Sequence, residues 1–99
     1  YINYMVTKEE IIEELKRIND PELFIDIYTL GLIYEVNIKS KEEVHVLMTF
    51  TTPMCPAGDM LRHQVESAMR RLGFSAVDLE ITFEPPWKPT AELREMLGV

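Results

Sequence analysis

The chain has 99 residues, 46% of them hydrophobic and 27% charged, which suits one soluble globular domain over residues 1–99. A net charge of -7 argues against binding a nucleic acid backbone, which requires a basic surface. No apolar run approaches the roughly 20 residues of a membrane span, and no secretory signal is recognisable. The single cysteine fits a reducing, cytoplasmic setting. Residues 1–6 are expected to be flexible or left over from cloning, with Met5 as a natural start.

The first predicted element is a helix over residues 7–19, in which Thr7 and Glu10 match a capping box. Its apolar residues recur at helical spacing. Pro21 ends it, because the residue before a proline is pushed out of the helical region. Residues 20–31 follow as a long loop of the kind that often carries function in small domains.

Two strands, residues 32–38 and 44–51, come next and are joined by a short charged turn, which predicts an antiparallel hairpin. Both alternate between apolar and polar positions, as half-buried strands do. The side chains expected to face the core are Leu32, Tyr34, Val36 and Ile38 in the first strand and Val44, Val46, Met48 and Phe50 in the second.

The second helix is predicted over residues 56–72. Pro56 suits its first position, which places Cys55 at the N-cap. Gly73 fits a left-handed residue after the last turn, with Phe74 folding back on the helix.

A third strand, residues 76–84, shows the clearest alternation, and Thr90 caps a short final helix over residues 91–97. The residues of this strand expected to point inward are Val77, Leu79, Ile81 and Phe83. The order α-β-β-α-β-α predicts an α+β two-layer sandwich, with helices on one face of a three-stranded mixed sheet.

Cys55 raises a question, because a lone thiol forms no intramolecular disulfide and does not fill a zinc site alone. At a helix N-cap it would be a stabilised thiolate, whereas the alternative is an inert, buried cysteine. His45 and His63 are both too far along their elements to take its proton. Asp20 and Glu22 either reach the corner at which the second strand leads into the second helix, close to Cys55, or merely end the first helix.

Four motifs in order then make the chain recognisable: "DPEL", "LGLIY", "TTPMCP" and "FEPPW". Over residues 7–97 the sequence resembles the SufT/PaaD-like family, once called domain of unknown function fifty-nine, which is related to the cytosolic iron–sulfur targeting proteins. The resemblance implies the fold of iron–sulfur cluster assembly domains. The site residues that it implies are Asp20, Glu22, Leu23, Thr51, Thr52 and Cys55, with Pro86 and Trp87 as partner-binding residues. One departure is Phe24, where family members often carry glycine. This side chain is expected either to narrow the corner or to offer a contact surface.

The resemblance implies an accessory factor in iron–sulfur protein maturation or metalloenzyme assembly, an adaptor or transient carrier and not an enzyme. No firmly bound cofactor is expected, only transient iron or an iron–sulfur cluster. One chain cannot build a four-cysteine cage, so Cys55 as a metal ligand needs further chains or a partner. The expected partners are the assembly machinery, client apo-proteins or a second copy in a homodimer, but neither nucleic acid nor membrane. Two alternatives stay open: a thiol-dependent enzyme with Cys55 as nucleophile, and a pure interaction module.

Overall fold

The computed structural model describes residues 5–21, 23–54 and 56–98. Its elements are the helix α1 (Lys8–Leu15), the strands β1 (Ile33–Ile38) and β2 (Glu43–Met48), the helix α2 (Gly58–Arg71), the strand β3 (Ala76–Ile81) and the helix α3 (Ala91–Leu97). The sheet has the order β1-β2-β3, with β1 antiparallel and β3 parallel to β2. The predicted α+β order and mixed sheet are confirmed. None of the described helices has both the length and the apolar character needed to cross a membrane.

The hydrophobic core lies between one face of the sheet and the helices. Residues two apart on a strand share a face, so the register of β2 and β3 aligns their apolar side chains. These register pairs are Val44–Val77, Val46–Leu79 and Met48–Ile81. The helices cover them with the fully buried side chains of Ile11, Leu15, Leu61, Val65, Ala68 and Met69. The helix α3 adds Leu93 to the same cluster.

The start of α1 confirms the predicted capping box. The amide of Glu10 donates to Oγ1 of Thr7 at 3.2 Å, and the amide of Thr7 donates to Oε1 of Glu10 at 3.0 Å. Two amides that have no partner within the helix are thereby satisfied. Because the cap is built from neighbours in sequence, the sequence alone was enough to predict it.

The helix α1 ends at Leu15, four residues before the predicted end. Beyond it the amide of Arg17 donates to Glu14 O at 3.1 Å and that of Ile18 to Leu15 O at 3.2 Å. These are the tighter bonds that close a last helical turn. Asn19 then forms an isolated bridge with Asp26, which draws the chain away from the helix axis.

The strand β1 carries a β-bulge that interrupts the predicted alternation. Ile33 lies opposite Met48 and Glu35 lies opposite Leu47, so Tyr34 is an extra residue that has no paired residue on β2. The prediction that Tyr34 continues the inward-facing series is therefore wrong. Its hydroxyl instead donates to Pro85 O at 2.7 Å.

The strand β3 ends at Ile81 and not at residue 84. The amide of Thr82 still donates to Met48 O at 2.9 Å, but regular pairing stops there because Pro85 follows and has no amide donor. Phe83, predicted to point inward, is 36% exposed. Its ring lies at 6.4 Å from that of Phe50, so it packs at the rim of the core.

The helix α2 begins at Gly58, with Ala57 as its N-cap and no side-chain capping bond. The predictions that it starts at residue 56 and that Cys55 is its N-cap are therefore wrong. A Cβ on Gly58 would lie 3.0 Å from the ring of Phe50. This close packing fixes where the helix meets the core, and it could not be recognised in the local sequence.

The end of α2 follows the prediction. Gly73 adopts φ +113°, a left-handed conformation that glycine tolerates. Phe74 then folds back and is only 2% exposed.

Candidate functional site

Three connecting segments meet at one end of the sheet. Because β1 runs antiparallel to β2 and β3 runs parallel to it, the start of β1 and the ends of β2 and β3 lie at the same end of the sheet. The amide of Thr49 donates to Leu32 O at 2.8 Å, which joins two of the segments directly. We call this end of the sheet the site end. Its segments are residues 19–32 before β1, residues 49–57 after β2 and residues 82–90 after β3.

The packing of α1 on α2 brings the first of these segments beside the start of α2. Glu14 contacts Arg71, the last residue of α2, at 3.7 Å, whereas Ile18 lines a cavity together with His63, in the first half of α2. The two helices therefore run in opposite directions. The chain that leaves α1 is directed toward the N-terminal end of α2, to which residues 49–57 also lead.

Asp20 closes a tight loop at the site end and is 1% exposed. Its Oδ1 accepts from the amide of Leu23 at 3.1 Å, and its backbone O accepts from the amide of Phe24 at 2.9 Å. Its own amide donates to Ile25 O at 2.9 Å. Asp20 thus fixes the shape of this loop through local hydrogen bonds. Glu22, the other predicted carboxylate, lies outside the described residues.

Phe24 adopts φ +60° and its side chain is 83% exposed. A left-handed conformation is unfavourable for a bulky residue and easy for glycine, which explains why glycine suits this position. Since the ring points into solvent, Phe24 does not narrow the corner. Of the two outcomes expected for Phe24, the structure supports the second, in which the side chain is exposed and available for contact.

The threonine pair lies between β2 and α2, with Thr51 half-buried and Thr52 exposed. The hydrogen bonds of the described residues include none from either hydroxyl to the Asp20 loop. Cys55 lies outside the described residues, but its position in the chain is three residues before the first residue of α2.

Thr49 is a buried polar residue that sequence reasoning missed, since it falls on the predicted outer side of β2. It is fully buried, and its hydroxyl donates to Phe50 O at 3.3 Å. Its burial follows from the chain around Leu32 that runs beside it, a contact between distant parts of the sequence.

Residues 84–87 form a strap across the site end, from the end of β3 to the start of β1. Nε1 of Trp87 donates to Leu30 O at 2.6 Å, and the Tyr34 hydroxyl holds Pro85 O. Gly31, at φ +79°, lies where a Cβ would be 4.0 Å from Nε1 of Trp87. Trp87 is half-buried and packs on the core, whereas Pro86 is exposed. Trp87 therefore ties the strap to the loop before β1.

Neither histidine belongs to the three segments of the site end. His45 is on the outer face of the sheet, with Nε2 at 3.1 Å from Oε1 of Glu80. His63 lines the cavity between α1 and α2. Within residues 5–21, 23–54 and 56–98, no three His, Cys, Asp or Glu side chains are grouped so that they could hold a metal ion.

Comparison with known proteins identifies the family. The family model described as iron–sulfur cluster assembly protein matches residues 8–82. The chain belongs to this family. The predicted resemblance is thereby confirmed.

Two curated relatives and one solved structure show how far the similarity extends. An Fe-S protein maturation auxiliary factor of Porphyromonas gingivalis is 38% identical over 85 residues, which cover 85% of this chain and 81% of the relative. The auxiliary factor SufT of Staphylococcus aureus is 38% identical over 69 residues, covering 69% and 78%. A conserved hypothetical protein from Thermotoga maritima superposes with a TM-score of 0.85 at 43% identity, covering 99% of this chain and 100% of that one. The two curated relatives are named auxiliary factors and not enzymes.

Proposed function

We propose that this protein is an accessory factor in the maturation of iron–sulfur proteins or in metalloenzyme assembly, acting as an adaptor or transient carrier. The observation that carries the proposal is the family match over residues 8–82. It is supported by 38% identity over 85 residues to the Porphyromonas gingivalis auxiliary factor.

The surroundings of Cys55 favour contact with another molecule. Its described neighbours Pro53, Met54 and Pro56 are all exposed, with Met54 at 86%. Phe24, exposed on another segment of the site end, adds a second large apolar side chain. Contiguous apolar patches mark surfaces that bind other proteins, and these side chains are the ones that would form such a patch at the site end. The proposed site comprises Asp20, Glu22, Leu23, Thr51, Thr52 and Cys55, with Pro86 and Trp87 on the adjoining strap.

One thiol per chain limits what the protein can carry. A conventional cluster is held by four cysteine thiolates, so Cys55 would supply one ligand. The remaining ligands must come from a client apo-protein, the assembly machinery or further copies of this chain. Iron or a cluster would then be cargo, passed on and not retained.

A thiol-dependent enzyme is less well supported by the described residues. Activation of a cysteine nucleophile needs a base within hydrogen-bond reach. His45 is paired with Glu80 on the outer face of the sheet, and His63 lies between the helices. The accessory role needs no such base.

The decisive experiment is an anaerobic titration with iron and sulfide, followed by visible absorbance and native mass spectrometry. A carrier gains a chromophore at no more than one cluster per four chains when the chain is the only source of thiol, and Cys55→Ser abolishes it. An adaptor gains none, but binds a client apo-protein in a pull-down that Cys55→Ser weakens. Ser75→Ala, which changes an exposed residue before β3 at the opposite end of the sheet, is the matched control.

Complementation of a deletion strain distinguishes the accessory role, whether as a carrier or as an adaptor, from an unrelated role. We expect the wild-type chain to restore iron–sulfur enzyme activity to a Staphylococcus aureus strain that lacks SufT, and Cys55→Ser to restore much less. Full restoration by Cys55→Ser would show that the accessory role does not need the Cys55 thiol. No restoration by the folded wild-type chain, together with no cluster and no client, would overturn the accessory role.

A further inference from the structure

A cavity of about 310 Å³ lies between the end of α1 and the face of α2, outside the proposed site. Its lining is unusual for an acidic protein, because the described residues that line it include no carboxylate and five of the six have side chains with N–H or O–H donors. The lining residues are Arg17, Ile18, His63, Gln64, Ser67 and Arg71.

The two arginines of this cavity converge on one carboxylate. Nη1 of Arg17 lies 3.4 Å from Oε1 of Glu14, and Nη2 of Arg71 lies 3.7 Å from Oε2. Each guanidinium group has five N–H donors, so most of them remain available for another acceptor. One carboxylate also cannot neutralise two guanidinium charges. Glu14 thus shows that a single oxyanion can reach both arginines from the edge of the cavity.

We propose that this cavity binds a small multivalent oxyanion, a phosphate or a di- or tricarboxylate. Guanidinium groups recognise the oxygen pairs of such anions, and the hydroxyl, amide and imidazole on α2 add donors on the same wall. The volume is at the lower end of the range of about 300–1,000 Å³ for ligand pockets, which suits a small metabolite. The proposal does not depend on the proposed function, because it uses neither Cys55 nor the site end.

The binding is expected to be weak. The side chains of Arg17 and Arg71 are 77% and 63% exposed, and exposed ion pairs contribute only modestly in water. We therefore expect millimolar dissociation constants, with each arginine changing the affinity about two- to fivefold.

The test is an NMR titration of the ¹⁵N-labelled chain with inorganic phosphate and with citrate, against sodium chloride at equal ionic strength. We expect saturable amide shifts near residues 17–18 and 63–71 with phosphate or citrate and not with chloride. The double variant Arg17→Gln/Arg71→Gln should lose about four- to twenty-five-fold in affinity, the product of the two single effects. Arg62→Gln, an exposed arginine of the same helix outside the cavity, should bind as the wild type does.

Glu14→Gln provides a test with the opposite sign. Because the Glu14 carboxylate competes for both arginines, its neutralisation should raise the affinity for citrate about two- to fivefold. Thermal melts of all variants establish that they are folded. Equal shifts with chloride, an unchanged affinity in the double variant, or a lower affinity in Glu14→Gln would each overturn the proposal. Binding of an acidic peptide without binding of phosphate or citrate would overturn it as well.

Discussion

Phe24 combines two unfavourable features, a left-handed backbone and an exposed aromatic ring. We predict that Phe24→Gly raises the free energy of unfolding by about 0.5–1 kcal/mol, since relief of the strained φ outweighs the greater freedom of glycine in the unfolded chain. Urea denaturation measures this difference.

The matched control for this prediction is Phe24→Ala, which removes the ring but keeps the Cβ. Because the ring is largely in solvent, its loss should cost little, and the strain should remain. An equal gain in stability for both variants would mean that the ring, and not φ, is the source of the cost.

An exposed aromatic ring on a strained backbone is a candidate for a functional contact. Under the proposed accessory role, we expect Phe24→Gly and Phe24→Ala to be folded and yet to restore less activity to the SufT-deficient strain. If both restore full activity, Phe24 is not part of the partner surface.

At the scale of elements, the strap over the site end depends on two hydrogen bonds between distant parts of the chain. Tyr34→Phe removes the bond to Pro85 O, and we predict a loss of about 1 kcal/mol in stability. Trp87, the only tryptophan, reports on the strap directly. Its fluorescence should be quenched more readily by acrylamide in Tyr34→Phe. Tyr28→Phe is the control, because no hydrogen bond of the Tyr28 hydroxyl is described.

Removal of Trp87 itself tests how firmly the strap is held. Trp87→Ala removes a half-buried ring and its bond to Leu30 O. We predict a loss of about 2–3 kcal/mol, below the 3–5 kcal/mol of a fully buried aromatic residue. A thermal melt is the measurement. A melting temperature equal to that of the wild type would show that Trp87 does not anchor the strap.

At the scale of the whole molecule, the net charge of -7 opposes folding through like-charge repulsion. Four glutamates of α1 line one shallow cavity, and the described ion pairs are largely exposed. We therefore predict that raising sodium chloride from low to physiological ionic strength raises the melting temperature by about 2–4 °C, equivalent to about 0.5 kcal/mol.

A variant identifies the source of this salt effect. Glu13→Gln removes one charge from the acidic face of α1 and should reduce the salt-dependent rise. A melting temperature that falls with added salt would show instead that attractive pairs, such as those of Glu14 with Arg17 and Arg71, dominate the electrostatics.

The sequence by itself determined the order of the elements, the mixed sheet, the capping box of Thr7 and Glu10, and the left-handed Gly73. The cap, the glycine and the elements themselves depend on local information, and the mixed sheet followed from the order of the elements, because a helix between two strands predicts a parallel crossover. A cap is formed by residues three apart, a glycine permits its own φ, and the periodicity of an apolar face shows within one element. The motifs of the connecting segments also identified the family, because their order along the chain is a property of the sequence alone.

Only the tertiary structure decided where α2 begins, which residue of β1 is bulged and how the strap is held. Gly58 starts the helix because the ring of Phe50, eight residues earlier, packs against it. Tyr34 reaches Pro85, and Trp87 reaches Leu30, across more than fifty residues of sequence. Such contacts are set by how the sheet and helices pack, and no local pattern encodes them. The same reason explains why the sequence suggested an N-cap role for Cys55, whereas packing places the N-cap of α2 at Ala57, two residues further on.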